Sequence, residues 1–216
     1  MKQNCLRLLI CLVWLALTAW PLTASSGEVS EAKTIGPQAV WTLPREALDA
    51  CLGKNPSPGD CLSQVMKQTG ASPQALDFNA MLSGEGYMRV FRPMGRVSLV
   101  TVEFPLRANT NEVAFLAGGN PALVSSELPD KDVDIRGDPA YSSLKKKYPK
   151  LEFWPTGAEF RGMNRLPNGS QGFEFAYPLL NGCHACELAG QAVVSLDFGP
   201  DGLYRGPRLI RLEPAQ

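Results

Sequence analysis

The chain has very little histidine and no excess of either charge. His184 is the only histidine among 216 residues, so a serine or cysteine nucleophile activated by a histidine base would have to use this ring. Lysine and arginine together number 21, and aspartate and glutamate also number 21. This balance excludes the strongly basic surface that nonspecific nucleic-acid binding requires. The one basic run, Lys145 to Lys147, is interpreted as a solvated helix face. We predict no nucleic-acid partner.

The chain also lacks an apolar run long enough to span a bilayer comfortably. Its most apolar segment, Leu8 to Trp20, follows the cations Lys2 and Arg7, and Pro21 ends it. Small residues at positions 24–26 then suit a signal-peptidase site. We therefore predict a signal peptide over residues 1–24 and a periplasmic or secreted mature protein with no stable membrane insertion. Without the two cations of the signal peptide, the mature chain is slightly acidic.

Cysteine is sparse once the predicted signal peptide is removed. The cysteines that remain are Cys51, Cys61, Cys183 and Cys186. An even number of cysteines in an oxidising compartment favours disulfides, and four cysteines allow three pairings. Proximity along the chain favours Cys51 with Cys61, as the clamp of a helical hairpin, and Cys183 with Cys186, as the closure of a short loop.

Periodicity predicts a single α+β domain over residues 42–216, after a flexible lead-in over residues 25–41. Helical patterns occupy residues 42–84, and residues 85–216 are rich in β-strand patterns. Three short helices are predicted: Pro44–Leu52, a second that Asp60 caps and Gly70 ends, and a third that begins at Ser72-Pro73. Their predicted inward residues are Ala47, Leu48, Cys51, Leu52, Leu62, Val65, Met66, Phe78, Met81 and Leu82.

Antiparallel strands are predicted for most of the remaining chain. They are Tyr87–Arg92, Arg96–Phe104, Val113–Ala117, Ala122–Ser126, Leu151–Trp154, Gly172–Leu179, Gln191–Phe198 and Arg208–Glu213. Another helix would begin at Asp138-Pro139 and stop before Pro149. Similar aromatic-Pro-Leu corners in residues 102–109 and 175–182 suggest two similar β-hairpin halves. Whether the strands share one sheet is left open.

The cluster Cys183-His184-Ala185-Cys186 carries the most distinctive chemistry of the chain. The reactive cysteine pair of a thioredoxin lies early in the fold, at a helix N-terminus. Here strand-forming residues follow Cys186, so a thioredoxin fold is disfavoured. Zinc is disfavoured because the cluster offers three ligands and a structural zinc site needs four. Haem attachment is excluded because Glu187, not histidine, follows the second cysteine. The remaining interpretation is a clamped hairpin loop over residues 180–190, with His184 either a recognition residue or an ordinary surface side chain.

The stretch from Gly182 to Cys186, followed by Gln191-Ala192-Val193-Val194-Ser195-Leu196, resembles the loop-and-strand region of the inhibitor of vertebrate lysozyme family. The resemblance covers residues 172–200. Members of that family are periplasmic α+β proteins in which a disulfide-closed loop carrying a histidine blocks the active cleft of lysozyme. The resemblance implies that Cys183 and Cys186 form the clamp and that His184 is the inserted residue.

Together these observations predict an exported, non-catalytic binding protein. Its predicted contact residues are Gly182, His184, Ala185 and Glu187, and its predicted partner is a lysozyme-like cell-wall hydrolase. No catalytic residue, cofactor or metal site is predicted. The alternative function is periplasmic thiol–disulfide exchange that uses Cys183 and Cys186 as the reactive pair.

Overall fold

Three of the described helices precede the strands and a fourth lies between the two groups of strands, and serine caps begin two of them. The computed structural model describes residues 35–53, 57–109, 111–128 and 132–215. The helices are α1 (Arg45–Leu52), α2 (Pro58–Gln68), α3 (Pro73–Met81) and α4 (Tyr141–Lys147), with single 3-10 turns at Pro37–Ala39 and Ile135–Gly137. As its Ser-Pro signal predicts, α3 is capped by Ser72, whose Oγ accepts a hydrogen bond from the backbone N–H of Ala75 at 3.0 Å. The predicted signal peptide lies outside the described residues.

The start of α2 differs from the prediction that Asp60 caps it. Ser57 is the N-cap, and its Oγ accepts a hydrogen bond from the backbone N–H of Asp60 at 3.3 Å. Pro58 takes the first helical position, where its missing N–H has no intrahelical partner to lose. The helix therefore begins before Asp60. The carboxylate of Asp60 lies in the first turn, where the helix dipole stabilises its negative charge.

The third helix buries part of its predicted face. Phe78 is 1% exposed and Leu82 is half-buried, whereas Met81 is 44% exposed. Three residues beyond Phe78 an α-helix has turned by about 300°, so Met81 lies on the flank of the buried stripe. There it lines a cavity that Ile35 also lines. The prediction that Met81 is buried is wrong.

The described strands form two antiparallel sheets, in agreement with the predicted α+β class. The four-stranded sheet has the order β1-β2-β3-β4, with β1 (Tyr87–Arg92), β2 (Ser98–Glu103), β3 (Glu112–Ala117) and β4 (Leu123–Ser125). The five-stranded sheet has the order β5-β7-β8-β9, and β6 also pairs with β7. Its strands are β5 (Leu151–Phe153), β6 (Glu159–Arg165), β7 (Gln171–Asn181), β8 (Leu188–Phe198) and β9 (Tyr204–Pro214). The sequence did not predict β6, because its glycine, asparagine and glutamate have low strand propensity.

The two sheets pack against each other, α3 covers the far side of the smaller sheet, and α2 packs with Tyr87 of β1 in a third cluster. One hydrophobic cluster joins Leu99 of β2 to Phe175 of β7. A second cluster lies on the opposite face of the four-stranded sheet, where Phe78 of α3 meets Val100 of β2. The layers are therefore α3, the four-stranded sheet and the five-stranded sheet, and Leu144 of α4 belongs to the cluster between the sheets. This order leaves the outer face of the five-stranded sheet outside both clusters.

Residues 35–41, which the sequence places in the flexible lead-in, pack on the domain. Ala39 is buried, and the backbone N–H of Trp41 donates a hydrogen bond to the carbonyl oxygen of Met88 at 3.0 Å. The Trp41 ring meets the ring of Tyr87 edge-on, with 5.0 Å between centroids. The packed domain therefore begins before the predicted boundary at residue 42.

Candidate functional site

The turn between β7 and β8 forms a short tip that holds the cysteine–histidine cluster. At its base the backbone N–H of Asn181 donates to the carbonyl oxygen of Glu187 at 3.0 Å. Gly182 follows with φ of +102°, a conformation that favours glycine. Because β7 runs to Asn181 and β8 begins at Leu188, the tip loop comprises residues 182–187. It is shorter than the predicted loop over residues 180–190, because the strand ladder extends further at both ends.

The predicted pairing of Cys183 with Cys186 is confirmed. The two residues form a disulfide with their Cα atoms 4.9 Å apart, and the backbone N–H of Cys186 donates to the carbonyl oxygen of Cys183 at 3.0 Å. The bond thus closes a single β-turn, and both cysteines are exposed. Since both sulfurs are used in the bridge, neither is a thiolate that can bind zinc.

His184 is exposed at the tip and lies against an aromatic ring that the sequence did not predict. The centroids of the His184 and Trp154 rings are 5.2 Å apart, and the ring planes are inclined by 41°. Trp154 follows β5 directly, and its backbone N–H donates to the carbonyl oxygen of Pro178 on β7 at 2.9 Å. The indole Nε1 is buried and has no hydrogen-bond partner among the described residues. Trp154 thus gives the imidazole a rigid apolar support on one side.

The segment between α4 and β5 supports the same tip. Lys150 lies against Gly182, where a Cβ atom would come within 3.2 Å of the Lys150 Cβ. The backbone N–H of Lys150 also donates to the Asn181 side-chain oxygen at 3.1 Å. The pKa of Lys147 is raised by its hydrogen bond to Tyr148, and the negative charge of Glu187 contributes in the same direction. Lys146 and Lys147 of the predicted solvated run are exposed, whereas Lys145 is half-buried.

The remaining predicted contact residues lie in the same exposed tip. Ala185 and Glu187 are exposed, Gly182 is half-buried against Lys150, and Leu188 just beyond the loop is exposed. The structure therefore brings these residues together with His184 in one protruding element. A ring that can donate or accept a hydrogen bond is presented at its centre.

The other cysteine pair, Cys51 with Cys61, is also a disulfide and belongs to the helical region. It joins α1 to α2 with the Cα atoms 5.7 Å apart. A cavity of about 880 Å³ borders α2, α3 and the turn after β2, and no residue of the tip loop lines it. Inside it, Ser63 Oγ donates to Asn79 Oδ1 at 2.7 Å and Asn79 Nδ2 donates to the Gly86 carbonyl oxygen at 2.8 Å. The first hydrogen bond links α2 to α3, and the second links α3 to the residue directly before β1.

Comparison with protein-family models, with curated proteins and with solved structures found no match to this chain. Within the described residues, no group of three or more histidine, cysteine, aspartate and glutamate side chains has a metal-binding arrangement. In the same part of the chain, no helix is long and apolar enough to cross a membrane.

Proposed function

We propose that this chain is an exported, non-catalytic binding protein whose contact element is the tip loop. The observation that carries the proposal is the exposed His184 ring, held between a disulfide-closed turn and the ring of Trp154. Two cysteine pairs at disulfide distance support an oxidising compartment, because reducing compartments keep such pairs as thiols.

The restriction of the loop favours binding on energetic grounds. An interface loop that must become ordered loses conformational entropy when its partner arrives. In this tip the disulfide, the Asn181–Glu187 hydrogen bond and the Trp154 ring already restrict the backbone and the imidazole. Less conformational freedom is therefore lost on binding, and the free energy of the new contacts appears more fully as affinity.

We propose a lysozyme-like cell-wall hydrolase as the partner. Such enzymes bind their substrate in a concave cleft, and the tip loop projects as a narrow convex element from the end of two strands. The resemblance of residues 172–200 to the inhibitor of vertebrate lysozyme family supports the same partner. In this arrangement the clamped turn enters the cleft and the His184 ring makes the central polar contact.

The test is inhibition of lysozymes of several classes by the purified mature chain, compared with its His184→Ala variant. Interface side chains at the centre of a contact contribute about 2 kcal/mol or more, so we expect inhibition to weaken at least tenfold. Lys67→Ala, on an exposed position of α2, is the matched control and should inhibit like the wild-type protein. If the wild-type protein inhibits no lysozyme class, the proposed partner is wrong. Equal inhibition by the His184→Ala variant would contradict the central role of the His184 ring in the contact.

Thiol–disulfide exchange is the second candidate function, and the exposure of both Cys183 and Cys186 favours it. An incoming thiolate would attack one sulfur of the bridge and release the other as a thiolate. The reduction potential of this bridge, measured against glutathione by mass spectrometry of alkylated protein, separates the two functions. A bridge that the glutathione pool cannot reduce is a structural clamp, whereas a readily reduced bridge supports exchange.

A further inference from the structure

The outer face of the five-stranded sheet is a long polar surface that the proposed function does not use. Alternate residues of β7 and β8 point away from the core, and they form the cross-strand pairs Gly172–Asp197, Glu174–Ser195 and Ala176–Val193. These residues lie outside the hydrophobic clusters of the described structure. Side chains of β6 and β9 flank them on the two sides.

The floor of this face is made of small side chains that lie below a polar rim. Ala176 and Val193 are each 1% exposed although neither belongs to a hydrophobic cluster. Gly172 leaves room for its neighbours, because a Cβ atom there would come within 2.8 Å of Ser195 Oγ and 2.9 Å of Asp197 Oδ1. The Ser195 hydroxyl donates to the Asp197 carboxylate directly above this gap. The polar side chains of the rim therefore cover the small side chains at the centre of the face.

The rim consists of planar polar groups that are already paired with one another. Arg208 Nε donates to Asp197 Oδ2 at 2.7 Å, and Asn164 Nδ2 donates to Glu174 Oε1 at 2.6 Å. The remaining rim pairs are Arg161 with Gln191 at 2.7 Å, Arg161 with Glu159 at 3.2 Å and Arg211 with Glu213 at 2.6 Å. Each arginine of the rim thus has a carboxylate partner, so this face carries little net charge.

Two concavities occupy this face and are aligned along β8. One, of about 630 Å³, is lined by Asn164, Gly172, Asp197 and Arg208 near the turn into β9. The other, of about 680 Å³, is lined by Arg161, Gln191 and Glu213 at the end nearer the tip loop. The eleven residues of β8 span roughly 36 Å at about 3.3 Å per residue. The two concavities together fit an extended polymer rather than a small compact molecule.

We propose that this face, here called the sheet groove, binds a neutral linear glycan. Because the charges of the rim are paired, the electrostatic potential over this face is small and attracts neither anions nor cations strongly. Each paired guanidinium still has unused N–H donors, and each paired carboxylate has unused lone pairs. Neighbouring sugar hydroxyls both donate and accept, so they satisfy such a mixed rim without disturbing its ion pairs. The groups stand on strands, which hold them more rigidly than loops would.

The test is isothermal titration calorimetry of the mature chain with the neutral β-1,4-linked hexamer of N-acetylglucosamine and with its dimer. We expect saturable binding, tighter for the hexamer because it reaches both concavities. Arg208→Ala should weaken hexamer binding about tenfold, the effect of one hydrogen bond to a charged group. Arg89→Ala is the matched control, since Arg89 forms a 2.7 Å ion pair with Glu112 on the other sheet. It should bind like the wild-type protein.

A second variant obstructs the groove without removing any of its polar groups. Gly162 on β6 pairs with Glu174, and a Cβ atom there would have no neighbour within 4 Å. Gly162→Trp should therefore fold and abolish hexamer binding, whereas His184→Ala should retain it while losing inhibition of lysozyme. The proposal is overturned if the hexamer does not bind, or if an anionic hexamer of galacturonic acid or a neutral Gly-Ser peptide binds more tightly. Full binding by both groove variants would also overturn it.

Discussion

The two disulfides of this chain form the same bond in opposite surroundings. Cys61 is fully buried, and Cys51 packs against the helical cluster that contains Leu62 and Val65. Cys183 and Cys186 are both exposed, and their bond closes one β-turn at the end of two strands. The first bridge therefore holds packed elements together, whereas the second shapes a surface.

The difference between the bridges shows that loop length alone does not determine the role of a disulfide. The sequence separations are 10 and 3 residues, for which the chain-entropy model gives about 3 and about 2 kcal/mol. These two free energies are similar. The surroundings differ far more, because one bridge adjoins the buried core and the other adjoins solvent. Experiments that separate stability from binding can therefore distinguish the two.

The largest effect on stability should follow removal of the buried bridge. In the double variant Cys51→Ala and Cys61→Ala, we expect the free energy of unfolding to fall by about 3 kcal/mol, because the unfolded chain gains freedom. Urea unfolding of the mature chain measures this change. Inhibition of lysozyme by the folded fraction should stay as in the wild-type protein. A loss of less than about 1 kcal/mol would contradict the assigned structural role.

A second, smaller effect is expected at Tyr87, which belongs to the same helical cluster. Its hydroxyl donates to Glu103 Oε2 at 2.6 Å, and Arg45 forms a 3.2 Å ion pair with the other oxygen of Glu103. Tyr87→Phe removes one hydrogen bond from a nearly buried carboxylate, so we expect a loss of about 2 kcal/mol in the free energy of unfolding. Tyr141→Phe, at a half-buried position on α4, is the control and should change stability less.

Alkaline titration provides a second measurement of the same contact. Burial raises the pKa of Tyr87, and its hydrogen bond to Glu103 raises it further. A raised pKa favours the protonated phenol of the folded state, so its contribution to stability is full below about pH 10 and is lost as the pH rises further. The wild-type protein should therefore lose stability above about pH 10, and Tyr87→Phe should lose less of it. Burial also raises the pKa of Tyr204 to about 12, so some alkaline loss should persist in the variant.

Local signals in the sequence predicted the helical region and both bridges well. The Ser-Pro pair before α3, the inward residues of α2 and the short spacing between Cys51 and Cys61 are all features of neighbouring residues. The contact between Trp154 and His184 is different, because it depends on the register in which Leu151 of β5 pairs with Asn181 of β7. The residues next to Trp154 and His184 in the sequence do not determine that register. The sheet groove was missed for the same reason, since its rows of paired residues exist only once four strands are aligned.

A smaller effect on stability than at the buried bridge, with a large effect on binding, should follow removal of the exposed bridge. In the double variant Cys183→Ala and Cys186→Ala, the chain-entropy model limits the loss to about 2 kcal/mol. The β7–β8 ladder and the Asn181–Glu187 hydrogen bond still hold the base of the tip. The loop itself becomes free to move, so inhibition of lysozyme should fall even where urea unfolding changes little.

Mild reduction of the wild-type protein with dithiothreitol is the matching experiment for the two bridges. A thiolate must reach a sulfur atom in order to attack it, so the exposed Cys183–Cys186 bridge should open before the Cys51–Cys61 bridge, whose Cys61 is buried. Alkylation followed by mass spectrometry gives the order of opening, and inhibition measured on the same samples should decline with the first bridge. If the helical bridge opens first, or if inhibition survives opening of the tip, the two bridges do not divide stability and recognition between them. A decline that follows the tip alone would place the recognition function in six residues that lie outside the hydrophobic clusters.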